Sequence, residues 1–132
     1  MMIAEGRGGF PWGLLVVADA DSDFATLPDE PERDVPLIAG EDAIVCRVAH
    51  AVFDDVTVRV WRDAPGPALT GPPVGAAPIA VPSGRLVIGD VERESPATMT
   101  VHLPPGHYDV EAYFDEPDWP EAVDLVLRTS SS

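Results

Sequence analysis

Proline and glycine recur along this sequence at intervals that leave no room for a long helix. Fifteen prolines and eleven glycines are spread through 132 residues rather than run together, and they cut the apolar residues into short stretches. Proline fixes φ and cannot donate within a ladder, and glycine marks turns, so such punctuation describes a chain of short strands and many turns. The length suits one domain with a single hydrophobic core, spanning residues 1–132.

The apolar residues between these breaks alternate with period two. Val56, Val58 and Val60 alternate with Thr57, Arg59 and Trp61, and Met99, Val101 and Leu103 alternate with Thr98, Thr100 and His102. Tyr108, Val110, Ala112 and Phe114 oppose His107, Asp109, Glu111 and Tyr113, and Val123, Leu125 and Leu127 oppose Asp124, Val126 and Arg128. Each run predicts a half-buried strand. Further strands are expected over 12–19, 43–50, 74–81 and 85–89, with 74–81 at a sheet edge because it contains Pro78. Residues 1–11 and 129–132 read as loose ends. Two long connections separate the strands: an acidic one over 20–42, in which 34–40 has room for a turn of helix, and a proline-rich one over 63–73. The expected fold is an all-β, antiparallel two-sheet sandwich of about eight strands. Pro104-Pro105-Gly106 has the residues of a type II turn and predicts a hairpin between 98–103 and 107–114, which brings His102 and His107 together on one solvent-side face.

Charge narrows the function. Twenty-three acidic residues face eight arginines and no lysine, for a formal charge of −15. Such a surface repels nucleic acid and anionic membranes and attracts cations or a basic protein. The longest apolar run, Leu14 to Ala18, is shorter than a membrane span or the roughly 7–15 apolar residues of a signal peptide, so the expected location is the cytoplasm. Cys46 is the only cysteine, which leaves no intrachain disulfide and no paired-thiolate metal site. It sits in a strand and reads as a small buried hydrophobe.

No catalytic constellation emerges, and the chain is not expected to be an enzyme. Ser83-Gly84 lacks the strand–serine–helix setting of a nucleophile elbow, and no glycine-rich phosphate loop is present. Two acidic segments carry the binding readings. Asp115, Glu116, Asp118, Trp119 and Glu121 form a charged loop around a tryptophan held between prolines. In that loop Trp119 either anchors a protein interface or folds back to cap the core edge. Asp19, Asp21, Asp23 and Glu30 have the spacing of calcium-loop ligands. Phe24 stands where such a loop needs glycine, so a weak calcium- or small-ligand-binding module is the alternative reading.

The strand Gly84-Arg85-Leu86-Val87-Ile88, the unit Val101-His102-Leu103-Pro104-Pro105-Gly106-His107-Tyr108-Asp109-Val110 and the closing Asp124-Leu125-Val126-Leu127 resemble the competence J family. This family comprises small β proteins described as inhibitors of a DNA-entry nuclease, within a wider set of bacterial β-sandwich proteins. The resemblance covers the C-terminal half only, and its matching positions are structural, so no inhibitory residue is carried over. What it implies is a noncatalytic inhibitor or immunity-type protein engaging a basic partner such as a nuclease. That agrees with the charge argument, since carboxylates can stand where a cationic nuclease expects phosphates.

Overall fold

The computed structural model of the chain describes residues 2–10, 13–21, 37–39, 43–48, 55–62, 74–90, 98–116 and 120–129. These residues form ten strands and no helix. The strands are β1 (Met2–Gly8), β2 (Leu14–Asp19), β3 (Leu37–Ala39), β4 (Ala43–Arg47), β5 (Val56–Arg62), β6 (Gly75–Val81), β7 (Arg85–Gly89), β8 (Met99–His102), β9 (Gly106–Phe114) and β10 (Ala122–Thr129). They build two five-stranded sheets, ordered β1-β5-β10-β9-β6 and β3-β4-β2-β7-β8.

The count is ten rather than about eight, and both additions come from segments without a sequence signal. Residues 2–8, expected to be loose, form an edge strand in which Ala4, Gly6 and Gly8 stand opposite Val60, Val58 and Val56. Leu37–Ala39, within the stretch that left room for helix, pairs with β4 instead. Its Leu37 fits against Gly75 of the other sheet, where a Cβ would lie 2.6 Å from Leu37 Cδ2. The connections 22–36 and 63–73 fall outside the described residues.

The first sheet is mixed rather than wholly antiparallel. β10 runs antiparallel to β9 but parallel to β5, with Val123 beside Val58 and Leu125 beside Val60. The β9–β10 hairpin is thereby inserted next to β5, which sets the valines of β5 and the leucines of β10 in one row facing inward. These residues are fully buried and meet Leu15, Val17, Ile44, Leu86 and Ile88 of the second sheet in one core. Side chains of this kind each contribute about 1.5–3 kcal/mol on burial.

The expected hairpin at Pro104-Pro105-Gly106 does not form. β8 pairs with β7 in the second sheet, whereas β9 pairs with β6 and β10 in the first. The segments 82–84 and 103–105 instead form a corner at which a two-stranded ribbon bends from one sheet into the other. Register runs through it unbroken: Val81 faces Gly106, and four residues further along each strand Arg85 faces His102. Strands that switch sheets at a bend make the corners of sandwiches of this kind. Gly84 makes the bend possible, with φ of 75° and its own carbonyl accepting the N–H of Leu103 at 2.9 Å. A Cβ at Gly84 would sit 2.9 Å from the Leu103 carbonyl oxygen. Gly106 has φ of 158° and opens β9, not the value near +80° of a type II turn. The buried Tyr108 closes the corner from inside, its hydroxyl donating to the Pro104 carbonyl.

Candidate protein-binding surface

The β9–β10 connection is held by its first residue. Asp115 Oδ1 accepts the backbone N–H groups of both Glu121 and Ala122 at 3.0 Å, and the Asp115 N–H donates to the Ala122 carbonyl at 3.1 Å. The Glu121 carbonyl accepts the N–H of Thr57 at 2.9 Å, which fastens the turn to β5. Asp115 is thus the staple of the loop, while Glu116 and Glu121 are exposed on either side of it. Asp118 and Trp119 lie outside the described residues.

Asp19 ends β2 of the second sheet and Asp21 follows it, both beside the ribbon corner, where β9 begins rather than where it ends. Asp19 is buried and accepts the Ser83 hydroxyl at 2.7 Å and the Ser83 N–H at 3.1 Å on one oxygen, and the Asp21 N–H at 3.0 Å on the other. Burial opposes its ionisation, but these hydrogen bonds and the nearby Arg85 charge outweigh it and hold the carboxyl below its ordinary value of 3.8. Asp21 is ion-paired with Arg85 at 3.0 Å. These two carboxylates join β2 to the corner, and Asp23 and Glu30 lie outside the described residues. His102 and His107, both exposed, stand on either side of the corner in different sheets rather than as cross-strand neighbours. Burial pushes the Cys46 thiol up to about 12, so it is held as an inert thiol in the core.

The outer face of the first sheet carries a cluster that alternation alone does not mark. Asp124 alternates with core leucines and points outward, yet it is only 4% exposed. Trp61 Nε1 donates to its Oδ1 at 2.8 Å, Arg59 Nε approaches the same oxygen at 2.9 Å, and Arg59 Nη2 donates to Oδ2 at 3.1 Å. Glu5 and Tyr113 continue this row across β1 and β9, and Arg128 pairs with Glu111 at 2.7 Å in the next rows. A tryptophan and an arginine fixed by one carboxylate, with a tyrosine in the same row, on a solvent-facing sheet have the composition of interface hot spots.

Positive charge is spent internally. Six of the arginines lie in the described residues, and Arg7, Arg59, Arg85 and Arg128 are ion-paired with Asp55, Asp124, Asp21 and Glu111. Arg62 lies over the Tyr108 ring, 5.9 Å from its centroid, and Arg47 is engaged as well. Glu5 and Asp109 make no ion pair among the described residues, the arginines across from them, Arg59 and Arg128, being paired with Asp124 and Glu111. The field outside this surface is therefore negative.

No protein-family model matches the sequence, and no match is found among curated proteins. Solved structures do match. ComJ from Bacillus subtilis, an inhibitor of the DNA-degrading activity of NucA, superposes with a TM-score of 0.70 at 12% identity, over 98% of each chain. The product of crocagin biosynthetic gene J superposes with a TM-score of 0.58 at 15% identity, over 98% of this chain and 100% of that one. The shared fold therefore extends over the whole chain and is not confined to the C-terminal half. No helix among the described residues is long and apolar enough to cross a membrane.

Proposed function

We propose that this chain is a noncatalytic, inhibitor-type binding protein that engages a basic protein partner, with a DNA-degrading nuclease as the favoured class. The observation that carries the reading is the likeness of fold, over essentially the whole chain, to an inhibitor of a DNA-degrading protein. Charge supports it independently: the chain has a formal charge of −15, and its described arginines are engaged within the chain itself. A carboxylate-rich surface of this sort competes with phosphates for a cationic cleft and speeds encounter with it. Glu116 and Glu121, held out by the Asp115 staple, join that surface at one end of the first sheet, with Asp118 and Trp119 of the same loop as further contacts.

The test is a DNA-cleavage assay with NucA from Bacillus subtilis and with cationic nucleases from this protein's own organism, to which the purified chain is added in increasing amounts. Stoichiometric inhibition is expected for at least one nuclease, weakening steeply between about 50 and about 500 mM salt as screening shortens the reach of the charges. Undiminished cleavage by every nuclease at large excess of the chain refutes the reading.

A further inference from the structure

The two sheets end in four edge strands, and three of them are guarded against pairing with another chain. β3 has three residues and β8 four, and β6 carries Pro78 in its middle. Short edges and edge prolines are the usual devices that prevent strand addition. β1 has seven residues, no proline, and, among the described residues, no neighbour in its sheet beyond β5. It also bears both of the exposed large hydrophobic residues among those described, Met2 at 45% and Ile3 at 36%.

We propose that β1 is the edge at which an extended, basic segment of the partner docks, adding a sixth strand to the first sheet. This deepens the basic-partner reading above and rests on it. The register shift between Met2 and Ala4 places Met2 opposite Trp61 and Glu5 opposite Arg59, so Met2 and Glu5 share the outer face. Arg59 is committed to Asp124, and Glu5 is left without an ion-pair partner among the described residues. An incoming strand thus meets an apolar position beside Met2 and Trp61 and a free carboxylate beside Glu5. Backbone hydrogen bonds to the edge supply affinity, and an apolar and a cationic side chain at alternate positions supply selectivity. A second copy of this chain is disfavoured as occupant because it brings its own charge of −15.

The probe is a short capped peptide with threonine at every second position and valine and lysine by turns at the positions between, so that one face of the extended strand presents both, with glutamate in place of lysine as control, titrated calorimetrically into the whole protein at low salt. The lysine peptide binds and the glutamate peptide does not. The exposed substitutions Met2→Ser with Ile3→Ser, and separately Glu5→Gln, weaken peptide binding by about tenfold at unchanged Tm, whereas Asp21→Asn, which removes one exposed carboxylate at the ribbon corner, changes it less than about twofold. The same β1 variants lose nuclease inhibition. No peptide binding, binding indifferent to the β1 substitutions, or a β1-dependent dimer in light scattering each overturns the proposal. Inhibition by the β1 variants equal to that of the unaltered chain removes the docking edge and leaves the inhibitor reading standing, while absence of inhibition by the unaltered chain removes the inhibitor reading itself.

Discussion

The two sheets are built from the same residue types but bury them differently. In the first, β5 and β9 alternate between buried and half-exposed positions, so one face meets the core and the other meets solvent. In the second, β2, β4 and β7 are buried along nearly their whole length. Val16, Ala18, Ala43 and Val45 form a small apolar cluster of their own on the side of that sheet away from the main core. The central strands of the second sheet are therefore dry on both faces while its edge strands are partly exposed, and the first sheet is the layer with a broad surface to offer. Its outer face holds the Arg59–Asp124–Trp61 cluster and the Arg128–Glu111 pair, and its β9–β10 turn presents Glu116 and Glu121.

The same substitution placed in each sheet separates the two layers by the largest margin. Ala18→Asp puts a carboxylate into the fully buried outer cluster of the second sheet and is expected to cost more than about 4 kcal/mol, enough to abolish cooperative unfolding. Ala76→Asp, on the exposed face of β6, is expected to change stability by less than about 0.5 kcal/mol. Similar urea midpoints for the two variants erase the distinction.

A smaller effect tests whether the solvent-facing layer is held rigid by its polar cluster. Asp124→Ala leaves Trp61 Nε1–H and a partly buried Arg59 without their acceptor, at a cost of about 2–3 kcal/mol in urea unfolding, and adding Arg59→Met recovers part of the loss. A loss under about 0.5 kcal/mol makes the cluster a surface ornament.

The smallest effect concerns the join between the layers. Asp19→Asn weakens the bonds to Ser83 and Asp21 and is expected to cost about 1–2 kcal/mol at neutral pH. Because the folded carboxyl lies below its ordinary 3.8, its contribution is fully present above that value and is lost as pH falls through the lower folded one. Melts of both proteins should therefore converge in strong acid. A gap that stays constant down to the acid limit rules out the carboxylate as the latch.

Legibility in the sequence followed locality. Alternation over 56–62, 107–114 and 123–128 announced strands and their inward faces correctly, because period two is written residue by residue, whereas the pairing of the last two into a hairpin was not announced. Pro104-Pro105-Gly106 misled because its local chemistry suits a reversal, while the partner of β8 is chosen by distant β7 and that of β9 by β6. Three residues at Leu37–Ala39 carry no period at all. Gly6 and Gly8 look like loop residues, yet each faces a valine of β5 across a sheet edge. The same limit applied to the binding surface. The loop carboxylates were visible as composition, but Asp115 as a staple was not, since its partners are backbone groups six and seven residues away. Asp124 looked like an ordinary solvent-facing position because Trp61 and Arg59 lie more than sixty residues earlier.

The ribbon that bends at Gly84 ties the assembly of both layers to one decision. Once the ends of β7 and β8 nearest the 91–97 connection align, every later pairing out to Gly75 and Ala112 follows without a further choice of frame. A slip of one position would turn Leu86 and Ile79 outward at the same moment, in different sheets, and neither layer would tolerate the error alone. We expect this stretch to zip early, since its contacts are the closest in sequence of any that span the two layers. The parallel seating of β10 beside β5 should then be the late and slow event in folding.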